Sequence, residues 1–536
     1  MAGAQPGRAC APDEGVALTG RATASSLRLV LISMTLANAM ILVDQTAVPL
    51  ILPSVMNTFH IGSGLAQWVL NASLLPLAGL LVLGGRLGDL LGRRRIFLLG
   101  AALFGGASAV AGLAPEFWIL LLARVVQGCG GALMLPATVA IISSAYPAEG
   151  RGRALGAMGG TAAIAGALGP TIGGTLTSLL SWRAVLLINL PLLLLVVWFT
   201  LRAVPADKKV DGKVRVDFTG ALLLCVTLIG VVFGLSQTAV WDIGSPGVWL
   251  PVVVGAVAGV LFVLRERRAH NPLMSFALLG RHRNYLGATI SQGLAGMAEM
   301  GLGLIFPLLL ILNLKMDPGL AGLALIPTTL PMVLLAPLTG RWYDRSGGRA
   351  PMTWGFLILA LSGVLLAVTV PMQSYLWLLP GLLAYGSGLA IVLSVNDPVS
   401  VDSIPEADEG QASGVSATAE QGGGALGIAV LYAVFHQTFL ARLFPDMDAA
   451  PGPDLDLDTL GRLKDILIGD EQTGLKESDF GAYVQSYLIP AREASTVGYA
   501  VTFLVVSGLA LVGAAAAWWL VRKPATPVGE GAGSPT

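Results

Sequence analysis

The chain alternates long apolar stretches with short polar turns, and the apolar stretches have a common length. A helix needs about 20 apolar residues to cross the hydrocarbon of a bilayer. Fourteen segments meet that need: 29–53, 66–86, 96–113, 117–142, 154–178, 184–203, 217–238, 247–264, 285–312, 319–340, 352–371, 374–398, 411–436 and 497–521. The pattern predicts an all-α membrane protein with fourteen transmembrane helices. The one large hydrophilic excursion is 437–496, which is rich in acidic residues. Within it Leu460–Leu467 is weakly amphipathic, and the whole segment reads as a solvated loop or as a lid over the substrate path. Residues 1–26 and 522–536 are rich in Gly, Ala, Pro and Ser and read as disordered tails, the first too polar for a cleaved signal peptide.

Composition sharpens this picture. The 536 residues are 54% hydrophobic and 12% charged, against about 25% charged in soluble proteins. No single core could absorb that much apolar surface, so lipid must be the solvent. Formal net charge is zero, which argues against nucleic acid as a partner. Cys10, Cys129 and Cys225 have no motif spacing, and the four histidines fall at span ends or in turns. A disulfide framework and a zinc site are both disfavoured. No phosphate-binding G-x-x-x-x-G-K-[ST] loop is present, which disfavours ATP-driven transport by this chain alone. No nucleophile–base constellation marks an enzyme. Most of the eleven tryptophans sit at span ends, as an interfacial belt requires.

Lys and Arg set the orientation. With the N-terminus in the cytoplasm, twenty-four fall on the inner side and seven on the outer side. Both termini are then cytoplasmic, in a multi-pass protein of the cytoplasmic membrane.

Two of the inner turns repeat one another. Gly85-Arg86-Leu87-Gly88-Asp89-Leu90-Leu91-Gly92-Arg93-Arg94 and Gly340-Arg341-Trp342-Tyr343-Asp344-Arg345-Ser346-Gly347-Gly348-Arg349 share the skeleton G-R-x-x-D-x-x-G-x-R. Each follows a span, the second and the tenth. A duplicated turn at equivalent places is the mark of an internally repeated transporter. The expected division is a six-helix bundle over 27–203, two inserted helices with basic linkers over 204–283, and a second six-helix bundle over 284–521.

Charges inside spans are costly, roughly 2.5–3.5 kcal/mol at mid-bilayer, and therefore face a bundle interior or a water path. Asp44, Arg124, Glu299, Asp397 and Glu420 are the candidates. Arg124 reads equally well as a counter-ion for Asp44 or as part of ion coupling. Asp397-Pro398 reads as a helix end at the interface. Asp44, Glu299 and Glu420 are isolated deep carboxylates, as proton or cation handling requires. Small residues mark close helix approach in Gln127-Gly128-Cys129-Gly130-Gly131-Ala132 and in Gly166–Gly174, and Pro170 should kink the fifth span. Pro327, Pro331 and Pro337 mark the tenth span as another bending element.

Taken together these motifs resemble the major facilitator superfamily, and within it the fourteen-helix drug:proton antiporters. The hinge Gly85–Arg94 is similar to the loop between helices 2 and 3 of that superfamily. Val43–Pro53 is similar to a helix 1 signature, L-D-x-T-x-V-N-x-A-L-P, but carries Pro49 where Asn is usual. Arg124-Val125-Val126-Gln127-Gly128 matches the helix 4 motif R-x-x-Q-G. Gly169-Pro170-Thr171-Ile172-Gly173-Gly174 matches the antiporter motif G-P-x-x-G-G of helix 5. Ser181-Trp182-Arg183 with Ile188-Asn189-Leu190-Pro191 resembles the signature opening helix 6.

The resemblance implies two pseudo-symmetric bundles rocking around a mid-membrane site. It implies a cytoplasmic latch built from Gly85, Arg86, Gly88, Asp89, Gly92 and Arg93 with Asp344 and Arg345. It places Asp44 and Arg124 in the proton pathway and makes Gly169, Pro170, Gly173 and Gly174 the shapers of antiport. Glu299 and Glu420 match no strict motif and enter only as embedded carboxylates. The expected activity is proton-coupled export of a small amphiphilic drug or antibiotic by a monomer in membrane lipid. The proton is the coupling ion, and no cofactor or metal is needed. A dedicated exporter of one metabolite, siderophore or lipid would share the fold, and so would a sensor that no longer transports.

Overall fold

The computed structural model describes residues 24–207, 217–239, 241, 244–269, 273–274, 276–404, 409–449 and 484–522, with the side chains of most of them. These residues are helical nearly throughout. The long helices are α1 (Ala24–Phe59), α2 (Trp68–Leu91), α3 (Arg93–Gly112), α4 (Phe117–Ala145) and α5 (Ala148–Leu179). Next come α6 (Trp182–Ala203, interrupted at Ile188), α7 (Phe218–Ser236) and α8 (Pro246–Glu266). The remainder are α9 (Arg283–Pro307, continued by a π-helical turn to Asn313), α10 (Ile326–Ser346), α11 (Arg349–Thr369), α12 (Tyr375–Val401), α13 (Glu409–Ala449) and α14 (Val484–Leu520).

Thirteen of the described helices are long and apolar enough to cross a membrane. The fourteenth, α5, has 32 residues, ample length, but nine glycines dilute its apolar character. Two spans are longer than the hydropathy pattern predicts. Helix α13 runs on to Ala449 and α14 begins at Val484, so both ends of the predicted 437–496 loop are helical. The rest of that loop, including 460–467, lies outside the described residues, as do most of the predicted tails. His436 is therefore not at a span end. It is buried inside α13 and stacks on Tyr432 at 5.8 Å. Helix α12 likewise continues past Asp397-Pro398 to Val401, so that pair lies inside a helix and does not end one.

Small residues let the helices meet backbone to backbone. A Cβ on Gly84 would run into the carbonyl of Ala132, and one on Gly128 into that of Ser73, which locks α2 against α4. On the other side of the molecule, Gly296 and Gly427 leave room in the same way between α9 and α13. Close backbone approach of this kind replaces the hydrophobic drive that lipid does not supply. Buried apolar residues of α1–α4, α6, α9 and α11–α14 share one continuous core cluster.

Helices α7 and α8 pack on each other through Gly230, Gly234 and Gly255. Helix α7 then lies over the seam between α2 and α13. Cys225 meets Gly79 of α2, Trp68 meets Phe233 at 5.6 Å, Leu228 meets Gly422 of α13, and Gln437 donates to the Thr238 carbonyl at 2.5 Å.

The duplicated turns are tight because glycine makes them so. Gly92 has φ +105° and Gly347 has φ +71°, a region that side chains disfavour. The first turn gives α3 an N-terminus with unpaired N–H groups, and Asp207 satisfies two of them. The amides of Arg94 and Arg95 donate to its carboxylate at 3.2 and 2.9 Å.

Candidate functional site

Asp44 sits midway along α1 and is 3% exposed. It accepts from Arg124 Nη1 at 2.6 Å, from Gln127 Nε2 at 3.0 Å and from Asn189 Nδ2 at 3.0 Å. Arg124 is 1% exposed and also donates to the Val69 carbonyl at 2.9 Å and to Gln127 Oε1 at 2.9 Å. Asn189 reaches on to Ser108, whose hydroxyl donates to the Leu186 carbonyl. The network ties α1, α2, α3, α4 and α6 together, and its two charges are opposite and fully buried. Such a pair survives in an apolar bundle only when hydrogen bonds satisfy the remaining lone pairs and protons, as they do here. The sequence singled out Asp44 and Arg124. It quoted Gln127 and Asn189 only within motifs, and it missed Ser108.

The other half of the molecule holds buried carboxylates that form no ion pair among the described residues. Gln292, Gly296 and Glu299 recur at helical spacing on one face of α9. Gly296 presses that face onto the backbone of Glu420 in α13. Glu420 accepts from Gln292 Nε2 at 2.5 Å. Glu299 Oε2 is buried with no hydrogen-bond partner among the described residues. Tyr385 of α12 donates its hydroxyl to the backbone carbonyl of Glu299 at 3.3 Å. Asp397 lies further toward the hinges, 3.5 Å from the Ser416 hydroxyl, one turn along α13 from Glu420.

Arg124 of the first set and Glu299, Tyr385 and Glu420 of the second line one cavity of about 330 Å³ between the halves. Its walls include Gln45, Thr46 and Arg124 from one half and Glu299, Phe306, Tyr385 and Glu420 from the other. Gln45 Nε2 donates to Gln421 Oε1 at 3.1 Å across the gap.

The cavity is closed at the end away from the hinges. There α5 meets the short helix Pro318–Ala324 that leads into α10. A Cβ on Gly174 would run into the Pro318 carbonyl, and Thr171 donates to the Gly322 carbonyl at 3.3 Å. The Ser178 hydroxyl contacts Asp317 at 2.7 Å and accepts from the Gly319 amide at 2.7 Å. Gly169 and Gly173, from the same motif, give α1 room at Thr46 and Ala47, and Pro170 is buried beside them. Toward the hinges the walls part: Gly159, Gly160 and Thr161 of α5 are exposed.

Arg93 donates to the Ala140 carbonyl in its own half at 3.0 Å. Arg86, Asp344 and Arg345 are exposed, Gly88 is buried in α2, and Gly85 lies against Pro136. The Asp89 side chain lies outside the described residues.

A multi-pass helical membrane protein with a cavity walled by helices from both ends of the chain is the class that fold and site define. The family profile of the Major Facilitator Superfamily matches residues 34–428, and the chain belongs to that superfamily. Its curated relatives include the tetracenomycin C resistance and export protein of Streptomyces glaucescens, 32% identical over 93% of this chain and 92% of that one. The puromycin resistance protein of Streptomyces alboniger is 34% identical over 80% of this chain and 85% of its own. The multidrug resistance protein Stp of Mycobacterium tuberculosis is 32% identical over 79% of each. Among solved structures, a bacterial homologue of the human lysosomal transporter Spinster, in an inward-facing and unoccupied conformation, superposes with a TM-score of 0.61. It is 16% identical and covers 94% of this chain and 100% of that one, a likeness of fold.

Proposed function

We propose that this protein exports amphiphilic drugs or antibiotics across the cytoplasmic membrane in exchange for protons, by alternating access. The observation that carries the reading is the closed-ended cavity between the halves. Its walls are mostly apolar, yet Glu299 and Glu420 face it, and the Arg124 guanidinium on the same wall is held by Asp44, Gln127 and the Val69 carbonyl. The relatives named for antibiotic resistance and export support the direction of transport and the substrate class. In this reading both termini and the hinges are cytoplasmic, the working unit is a monomer, and the cavity open toward the hinges is the loading state. Protons exchange at Glu299 and Glu420, while Asp44 and Arg124 hold the opposite wall. Arg93, Asp89 and their counterparts Asp344 and Arg345 close the cytoplasmic side in the other state.

The energetics suffice. One proton moving down ~150 mV releases ~3.5 kcal/mol, scaled from ~2.3 kcal/mol per 100 mV. A hundredfold gradient of a neutral solute costs ~2.7 kcal/mol.

The test uses everted membrane vesicles containing the chain, with an imposed pH gradient and a panel of neutral antibiotics and lipophilic cations. Vesicles without the chain correct for passive weak-base movement. Substrate-dependent proton release is expected, and Glu299→Gln and Glu420→Gln should each abolish it. Unaltered coupling in both variants would sink the proton assignment, and silence across the whole panel would sink the export reading.

A further inference from the structure

The two copies of the hinge are built alike but are not filled alike. In the first, the Asp207 carboxylate sits on the start of α3 and accepts from the amides of Arg94 and Arg95. Through the shared skeleton, Arg349 and Ala350 at the start of α11 stand where Arg94 and Arg95 stand. Gly347 likewise repeats the positive φ of Gly92. Among the described residues, however, no carboxylate accepts from the amides of Arg349 and Ala350. Gly347 and Gly348 instead border a cavity of about 640 Å³, separate from the one between the halves.

The walls of this cavity carry unpaired positive charge. Arg281, Arg283 and Arg522 line it, and none of the three forms an ion pair among the described residues. A second helix also begins there: Arg283 and Asn284 open α9, and the His282 side chain before them does not cap it. Helix starts and free guanidinium groups both suit an anion with several acceptor oxygens, a phosphate above all. Two carboxylates stand against them, Asp344 and Asp402, and Asp402 already accepts from the Tyr343 hydroxyl. With His282 neutral, three arginines against two carboxylates leave one positive charge, which a monoanion balances.

The cavity lies at the depth of lipid headgroups. Trp518 and Trp519 are exposed near the end of α14, as aromatic side chains at a membrane interface are. The Arg349 guanidinium stacks on Trp518 at 3.9 Å. Val521 and Arg522 follow within one helical turn and line the cavity, with Val399 of α12. A soluble phosphate has no use for the two valines, whereas a phospholipid would lay its glycerol against them. We propose that this cavity holds the phosphodiester of a monoanionic phospholipid, such as phosphatidylglycerol, from the hinge-side leaflet. Asp207 supplies at the first hinge the negative charge that a lipid supplies at the second. The site is independent of what the protein exports.

The experiment counts retained lipid. The full chain, purified in mild detergent, is titrated with phosphatidylglycerol or phosphatidylcholine and weighed intact by native mass spectrometry. Expected is one tightly held phosphatidylglycerol, preferred ~10-fold or more over phosphatidylcholine, since each arginine near an anionic head favours it. Arg283→Gln combined with Arg522→Gln should erase that preference. Arg267→Gln combined with Arg268→Gln removes the same charge from exposed positions off the cavity and should leave the preference intact. Equal losses in the two double variants would reduce the effect to diffuse surface charge and overturn the proposal. So would equal retention of the two lipids by the unaltered chain. Inorganic phosphate that displaces the lipid at millimolar concentration would reassign the cavity to a soluble phosphate. All three arginines are exposed, so the packing should survive their loss. Arg281→Gln alone repeats the test if the first double variant fails to fold.

Discussion

At the scale of single residues, the two sets of buried charge behave oppositely. Asp44 is surrounded by donors, whereas Glu299 has an oxygen without a partner among the described residues. Depth was legible in the sequence for both, since a carboxylate in the middle of an apolar run must be inside. The partners were not. Gln127, Asn189 and Ser108 are neutral side chains on three different helices, and nothing in their spacing says that they converge on Asp44. The consequence is testable. Asp44→Asn leaves the Arg124 guanidinium buried without its counter-ion, a loss of about 3–5 kcal/mol for pairs broken this way. Its unfolding temperature in detergent should fall by several degrees or more. Asp44→Asn combined with Arg124→Gln removes both charges and should recover most of that loss. A single variant as stable as the wild type would contradict a structural role for the Asp44–Arg124 pair.

Among the elements, hydropathy located the spans because the bilayer imposes one length on them. It failed at the ends of α13 and α14, where helices continue into polar sequence beyond the apolar run. Hydropathy reports only the greasy part of a helix that projects past the membrane. The helix pair α7–α8 illustrates how an element is held at its polar end. Asp217 caps α7 by accepting from the Gly220 amide at 2.7 Å and pairs with Arg265 of α8 at 2.9 Å. Partial burial alone would raise its pKa. The Arg265 guanidinium and the Gly220 amide outweigh that and hold the carboxyl below the ordinary value. A carboxyl lowered on folding stabilises above its unfolded pKa, and that contribution fades as pH falls through the lower folded value. Because Arg265 is solvated, the pair itself adds little, and an Asn at the cap would still accept from the Gly220 amide. Asp217→Asn should therefore lower the unfolding temperature modestly at neutral pH. The gap from wild type should narrow as pH drops below the usual carboxylate range, and a gap that widens in acid would refute this account.

The whole molecule is defined by which end of the cavity is shut, and no hydropathy pattern carries that information. The G-P-x-x-G-G motif was legible as a run of small residues, but its work depends on a partner helix more than 140 residues away. Gly174 lies against the Pro318 carbonyl with no room for a Cβ, and Gly322 does the same against Pro170. Under the proposed alternating access, these contacts would exist only while the end away from the hinges is closed. A methyl group at Gly174 would therefore penalise this state and leave the opposite one untouched, shifting the population by the difference in their energies. Gly174→Ala should make a cysteine placed at Ser178 more reactive toward a membrane-impermeant maleimide. It should also make one placed at Thr161 less reactive from the hinge side. The two changes must move together, because one rigid-body exchange opens one end as it closes the other. Higher reactivity at Ser178 with no change at Thr161 would mean that α5 merely frays locally, and the alternating geometry would have to be abandoned for this seal. A coordinated change would make the Gly174–Pro318 contact one of the points at which the two states are held apart.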